Sequence, residues 1–226
     1  MSASKPPVAC PVCRSRLIVF FQSVDQQRYW RCERCQATFL EPGQRLSPEQ
    51  EKAHYDLHQN RMDDPGYRSF LNRLATPLLK RLSPGQHGLD YGSGPGPLLA
   101  RILTEAGYPT TCWDPLYCAH EDRLNQHYDF ITLSEVAEHL YDPAGTFERI
   151  VAMIRPGGWL AIMTTFQTED DRFAGWHYRR DPTHVVFYRT QTMRWLAKQY
   201  ECSLHLPARN VALLQLKPVR SGRRSG

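Results

Sequence analysis

No run of about 18 consecutive apolar residues, the length a helix needs to cross a bilayer, occurs in the 226 residues. The opening Ser2, Ser4, Lys5, Pro6 and Pro7 lack the apolar stretch that a secretory signal carries. A soluble protein of the cytoplasm, without a membrane partner, is therefore expected. An internal repeat is missing too, and so is an even set of cysteines. A disulfide framework uses paired cysteines spread through a small secreted chain, whereas this chain has seven. Four of them fall in two closely spaced pairs, Cys10-x-x-Cys13 and Cys32-x-x-Cys35, as metal ligands do in a reducing compartment. Cys112, Cys118 and Cys202 are left over, and each reads as a small apolar residue without a role.

Charge of one sign is scarce only at the two ends. Residues 1–45 carry seven Lys/Arg against three Asp/Glu, residues 217–226 carry four against none, and the middle carries 17 against 20. The basic ends permit binding to a polyanion such as RNA, although solvated basic ends are common. With 41% hydrophobic residues, the chain can bury one good-sized core and has length left for a small appended module.

That module is the segment around the cysteine pairs. Two cysteines separated by two residues can both turn inward on one knuckle. A second such pair, after an intervening stretch with strand-like runs at Leu17–Phe21 and Tyr29–Trp30, completes a tetrahedral shell for structural zinc. Four thiolates leave no open position for a substrate. A segment this short buries too little apolar surface to fold unaided, so the metal is expected to supply most of its stability. Arg14, Arg16, Arg28, Arg31 and Arg34, with Phe20, Phe21, Tyr29 and Trp30, form either a surface that stacks bases and neutralises phosphates or a minimal core with a solvated face.

After the ribbon, Ser47-Pro48-Glu49-Gln50 has the pattern of a capping box with proline at the first helical position, which predicts a helix over 48–58. Asp63-Asp64-Pro65-Gly66 breaks it. Tyr67, Phe70, Leu71, Leu74, Leu78, Leu79 and Leu82 then recur at helical spacing, with Pro77 expected to kink or divide the segment. Beyond Gly85, short apolar runs alternate with amphipathic stretches: strands at 87–91, 109–113, 129–133 and 158–165, and helices at 97–106, 144–154 and 190–200. Closing strands lie near 201–206 and 210–216, and the short Pro207-Ala208-Arg209 link between them can join only antiparallel neighbours. The pattern predicts an α/β fold with a doubly wound, mostly parallel sheet and a terminal antiparallel strand. Four regions are expected: a zinc ribbon over 1–45, a helical lead-in or lid over 46–84 carrying His54, Tyr55 and His58, the sheet domain over 85–216, and a basic tail over 217–226.

The turn after the first sheet strand, Asp90-Tyr91-Gly92-Ser93-Gly94-Pro95-Gly96, lets backbone approach a ligand closely. A pyrophosphate-binding Gly-x-Gly-x-x-Gly needs glycine at position 97, where Pro97 stands. The next strand ends at Asp114, where a carboxylate can accept from two ribose hydroxyls. Glycine turn plus acid suits an adenosine without a phosphate.

At this point the sequence resembles the class I S-adenosylmethionine-dependent methyltransferases. Leu89 to Gly96 matches their first motif and Asp114 their ribose-binding acid. Tyr128 to Leu140 looks like the fourth-strand segment, and Ile154-Arg155-Pro156-Gly157-Gly158-Trp159-Leu160 like the entry to the fifth. Asp181-Pro182-Thr183-His184-Val185-Val186-Phe187-Tyr188 resembles a subgroup of small bacterial enzymes that includes the quinone-biosynthesis type. One departure lies between Asp114 and Tyr128. The family fits a helix and a third strand there, yet only 13 residues intervene, so the acid that contacts adenine is left unassigned, with Asp122 a candidate.

The resemblance implies that Asp90 and the amides around Gly92 and Gly94 hold the amino-acid part of S-adenosylmethionine, that Gly96 completes the turn, that Asp114 holds the ribose, and that Ser134 and Glu135 line the floor near the sulfonium. His139, just past the fourth strand at the ligand-binding edge, is the first choice for a general base, and His184 the second. Glu138 is accounted for as part of the cofactor segment. The function expected first is methyl transfer to a small-molecule or carrier-bound acceptor. Methyl transfer to RNA with the ribbon as docking module comes second, and a non-catalytic ribbon protein that senses S-adenosylmethionine third.

Overall fold

In the computed structural model, residues 6–56 and 63–218 are described. The chain begins with two copies of one knuckle. Cys10-Pro11-Val12-Cys13-Arg14 and Cys32-Glu33-Arg34-Cys35-Gln36 each close with an amide returning to the first cysteine's carbonyl, Arg14 N to Cys10 O and Gln36 N to Cys32 O, both at 2.9 Å. In both, the closing residue takes a left-handed φ, 56° at Arg14 and 63° at Gln36. Between the knuckles run β1 (Ile18–Val24) and β2 (Gln27–Cys32), an antiparallel hairpin. Its two-residue turn, Asp25-Gln26, has positive φ at both positions, as the right-handed twist of the flanking strands requires. Short β3 (Thr38–Leu40) pairs with β2.

Helix α1 (Pro48–Tyr55) starts with the expected capping box: the Ser47 hydroxyl accepts from Gln50 N, and the Gln50 side chain accepts from Ser47 N. It buries none of its residues. His58 lies outside the described residues. Helix α2 (Pro65–Leu79) buries Leu71, Leu74, Ala75 and Leu78 and continues through Pro77 to its end. Pro77 stands in the last turn, two residues before the helix ends, so it does not divide the segment as a mid-helix proline would.

The main sheet is built from β4 (Gly88–Tyr91), β5 (Thr110–Trp113), β6 (Tyr128–Ser134), β7 (Ile154–Met163), β9 (Cys202–Ala208) and β10 (Val211–Leu216), in the order β5-β4-β6-β7-β10-β9, with β8 (Val186–Phe187) belonging elsewhere. The first four strands run parallel, and β10 is antiparallel to both its neighbours. Intervening helices are α3 (Leu98–Glu105), α4 (Pro143–Met153) and α5 (Thr190–Gln199). Because side chains alternate along a strand, successive residues serve opposite faces. Phe130, Trp159, Ala161, Val211 and Leu213 meet α2 and α3, while Ile131, Leu133, Leu160, Ile162, Ala212 and Leu214 meet α4 and α5. Both faces are covered, which is the doubly wound arrangement. Gly88 is where strand and neighbour come closest, since a Cβ there would stand 2.0 Å from the Phe130 ring. The short stretch between β5 and β6 holds a 3-10 turn at Glu121–Asn125 rather than a strand, so β5 is the sheet edge.

Strand β8 pairs with β3, completing a second sheet in the order β1-β2-β3-β8. Cys10, Val12, Tyr29, Phe39 and Leu40 of the ribbon share one buried core with Phe147, Phe173, Phe187 and Tyr188 of the body. The ribbon is thus held by a backbone ladder and a common core in addition to any metal, which adds a contributor to the stability expected from the metal. Its arginines also turn toward the body: Arg14 pairs with Glu148, and Arg31, largely buried, with Asp170. Arg28 pairs with Glu41. No described helix is long and apolar enough to cross a membrane.

Candidate functional site

A cleft of about 710 Å³ opens along the carboxyl edge of β4, β5 and β6, roofed by residues of α1 and α2 that include Tyr55, Tyr67 and Phe70. The edge where parallel strands end is where open α/β sheets bind ligands. At the end of β4, Asp90 is buried and its Oδ1 accepts from the Thr132 hydroxyl at 2.7 Å. Burial pushes its carboxyl up to about 6 in spite of that hydrogen bond.

The glycine turn follows with left-handed φ at Gly92 (75°) and Gly94 (64°). Gly92 is also a close approach, because a Cβ there would lie 2.6 Å from Val136 Cγ2. The amides of Gly92 and Ser93 donate to Trp113 O, at 2.7 and 3.2 Å, and Gly94 N donates to Asp114 Oδ2 at 2.9 Å. These three N–H groups bond within the protein, so Gly92, Ser93 and Gly94 turn carbonyl oxygens and open space to the cleft. Gly96 lines the cleft and its carbonyl accepts from Leu98 N at the start of α3.

Asp114 Oδ1 accepts from the amides of Leu116 and Tyr117, at 2.9 and 3.1 Å. The carboxylate therefore braces both loops at the mouth while keeping lone pairs for a further donor. Asp122 is exposed and does not line the cleft. Leu116 is one of the few large apolar residues that stand exposed, and it lies on the lining.

At the end of β6 stand Ser134 and Glu135, both on the lining. Glu135 takes φ 53°, an uncommon conformation for a residue with a Cβ. Burial, then the charge of Glu138, push its carboxyl up to about 9. Glu138 is fully buried, and burial raises its carboxyl as well. The Tyr178 hydroxyl bridges the two, donating to Glu138 Oε1 at 2.5 Å with Glu135 Oε2 at 3.3 Å.

His139 and His184, predicted separately, come together with ring centroids 4.7 Å apart. Each turns Nδ1 to a backbone carbonyl, His139 to Thr183 O at 3.2 Å and His184 to Tyr178 O at 2.7 Å. A carbonyl only accepts, so both Nδ1 atoms carry the proton and the lone pairs sit on Nε2. Burial, then the neighbouring His139, hold His184 below the usual histidine range. Tyr178 and Asp181, also on the lining, belong to the polar insertion after β7. In the sequence, Asp181 stands only within the segment matched to the small bacterial subgroup, Tyr178 lies outside the matched motifs, and Glu138 is accounted for as part of the cofactor segment. The signal available for Glu138 was its place beside His139, directly after a strand that ends at the ligand edge.

The cysteines converge as expected. Cys10 Sγ lies 3.6 Å from Cys35 Sγ and Cys13 Sγ 3.4 Å from Cys32 Sγ, and all four sulfurs lie within 4.8 Å of one another. Tetrahedral zinc–thiolate bonds of about 2.3 Å separate the sulfurs by about 3.8 Å, so the donor set fits.

A family model described as a methyltransferase domain matches residues 60–206. Among curated proteins, the ubiquinone biosynthesis O-methyltransferase of Shewanella sp. (strain ANA-3) is 28% identical over 86 residues, 38% of this chain and 36% of that protein. The enzyme of the same name from Photorhabdus laumondii is 30% identical over 77 residues, 34% of this chain and 32% of its own. The chain thus spans about a third of the length of these relatives. Among solved structures, the Burkholderia thailandensis 1,6-didemethyltoxoflavin-N1-methyltransferase with bound 1,6-didemethyltoxoflavin and S-adenosylhomocysteine superposes with a TM-score of 0.50 at 15% identity. That superposition covers 85% of this chain and 96% of the other, and at such identity it shows a common fold.

Proposed function

The chain belongs to the methyltransferase domain family, and from that membership we propose that it transfers a methyl group from S-adenosylmethionine to a small-molecule or carrier-bound acceptor in the cleft. The observation that carries this reading is the chemistry of the cleft wall. In a chain of net charge +5, the cavity is lined by the acids Asp90 and Asp114, with Glu135, its carboxyl pushed up to about 9, as a neutral hydrogen-bonding group beside them. Ser93 Oγ, Trp113 Nε1 and Glu135 Oε1 are buried on that lining with no hydrogen-bond partner among the described residues. An acidic wall with unspent donors and acceptors suits a ligand that carries an ammonium and a sulfonium, and it repels phosphates.

S-adenosylmethionine brings a methyl group already activated by its positive sulfur. Asp90 and the carbonyls of the glycine turn would receive the ammonium, Asp114 the ribose hydroxyls, and Leu116 a face of the base. Ser134 and Glu135 would stand beside the sulfonium. His139 and His184, with Nε2 lone pairs on the lining, would handle the acceptor and its proton. The four cysteines would hold structural zinc and so fix the ribbon against β8. RNA as the acceptor draws less support, because Arg31 is largely buried against Asp170 and is withdrawn from the ribbon's surface.

Calorimetry on the full chain should show saturable binding of S-adenosylmethionine and of its demethylated product. Asp114→Ala should weaken both by about 10- to 100-fold, the worth of hydrogen bonds to a charged group. Label from the methyl donor, incubated with fractionated cell extract, should enter small molecules. No saturable binding, together with tight binding of nicotinamide dinucleotides or nucleoside triphosphates, would overturn the assignment, and binding without transfer to any acceptor would leave the sensor.

A further inference from the structure

We propose that Glu138, His139 and His184 bind one divalent transition-metal ion on the acceptor side of the cleft, at a site distinct from the cysteine cluster. One donor atom from each of the three residues lies within 4.8 Å of the others. Donors on a bound zinc stand about 3 to 4 Å apart, so closure asks only small side-chain adjustments.

Four further observations point the same way. Both imidazoles donate Nδ1–H to backbone carbonyls, Thr183 O and Tyr178 O. That outer-shell bond fixes the tautomer and aims the Nε2 lone pair in metal-ligating histidines. His139 Nε2 already stands 3.9 Å from Glu138 Oε1. Glu138 is fully buried, and its Oε2 has no hydrogen-bond partner among the described residues, while Tyr178 holds its Oε1. A carboxylate oxygen left bare in the interior is costly, and a cation is what would satisfy it. Finally, Asp181 Oδ2 lies 3.9 Å from His184 Nε2 and supplies an additional oxygen at the rim.

Two imidazoles and one carboxylate are a donor set suited to zinc, iron, cobalt or nickel rather than to magnesium or calcium. Glu138 approaches from beneath, whereas His139 and His184 line the cavity, so the remaining coordination positions face the cleft. A site with three protein ligands and open positions is the catalytic rather than the structural arrangement. Its use rests on the methyltransferase reading: the open positions take an acceptor hydroxyl as its oxyanion, the proton leaving to solvent. The oxyanion's electron pair then forms the new oxygen–carbon bond as the carbon–sulfur pair returns to sulfur.

Metal binding is tested without the methyl donor, so failure of one reading does not decide the other. The full chain is saturated with zinc, freed of excess by gel filtration and analysed for metal. Two ions per chain are expected for the wild type and one for Glu138→Gln and for His184→Asn. With cobalt in place of zinc, the equivalent absent from those variants should lack the thiolate charge-transfer band that marks the ribbon site. Glu138→Gln preserves shape in a fully buried place, and should it fail to fold by near-ultraviolet circular dichroism, His184→Asn carries the test. One ion per chain in the wild type would overturn the proposal and leave His139 to take the proton directly. Two ions retained by a folded variant would overturn it equally.

Discussion

The ribbon and the cleft both gather metal-ligating side chains, and they differ in what surrounds them. In the ribbon, four sulfurs come from two copies of one local turn, and Cys10, Cys32 and Cys35 are at most 1% exposed. In the cleft, an adjacent carboxylate and imidazole meet a second imidazole from a distant loop, beside a cavity of about 710 Å³. The ribbon's segment is basic, the cavity wall acidic. A closed donor set can only hold structure, whereas an open one beside unsatisfied polar groups can act on something that enters. The difference teaches where stability and chemistry reside in this chain.

The largest effect should come from opening the closed set. Cys32→Ser removes one of four thiolates and, since Cys32 closes β2, also loosens the ladder that carries β3 and β8. Structural zinc sites supply on the order of 10 kcal/mol of folding free energy in isolated peptides. The core shared with the body offsets part of that loss, so we expect destabilisation on the order of 5 kcal/mol, loss of ribbon zinc, and early proteolysis before Pro42. Denaturant unfolding and metal analysis measure all three. An unchanged midpoint would mean that β8 and the common core hold the ribbon alone, and the two clusters would no longer divide the work in this way.

Much of this division was legible in the residues. The cysteine spacing, the capping box at Ser47 and the alternation of strands with helices are local signals, and the elements fall within a few residues of where they were expected. What escaped was non-local. Strand β8 is two residues long, and only its pairing with β3, far away in the chain, makes it a strand. Nothing in the spacing of His139 and His184 says that their rings meet, because a loop returning over the sheet edge brings them together. The amides of Gly92 and Gly94 were expected to face a ligand. Their partners, Trp113 O and Asp114, lie at the end of the next strand and just past it, and only the parallel register of β4 and β5 reveals the bonds. Glu138 is fully buried beside His139, and burial cannot be read from one position.

A smaller effect should separate function from stability in the cleft. The folded protein raises Asp90 from 3.8 to about 6, chiefly by burial. A raised carboxyl favours the protonated form in the fold. Its stabilising contribution is therefore complete below the unfolded value near 4 and is lost as pH rises through about 6. The difference amounts to about 3 kcal/mol, at 1.36 kcal/mol per unit. Asp90→Asn, which cannot ionise, should lose less stability than the wild type between pH 4 and 7, in urea titrations compared pH by pH. The same variant should bind the methyl donor more weakly at pH 7. Wild-type affinity should fall as pH drops below about 6, where the carboxyl protonates and stops attracting the ammonium. A wild type and variant with parallel stability profiles would show that Asp90 ionises at its ordinary value, and the cleft would then hold this charge at no cost.

The smallest effect should come from the bond that most visibly ties ribbon to body. Arg14 donates to both carboxylate oxygens of Glu148 on α4, at 2.7 and 3.0 Å. The geometry is bidentate, yet the side chains are 59% and 52% exposed, so water and salt compete for both charges. In a double-mutant cycle of Arg14→Gln and Glu148→Gln, the coupling should be near the error of a denaturant titration and should vanish at high salt. The ribbon's seat is set instead by Leu40 N donating to Val185 O, by the β3–β8 ladder, by the core around Phe173 and Phe187, and by the better-buried Arg31–Asp170 pair. A large, salt-sensitive coupling would show that surface charge positions the ribbon. The basic segment would then be a docking device for this chain's own acidic body, and Glu148 rather than the shared core would be its anchor.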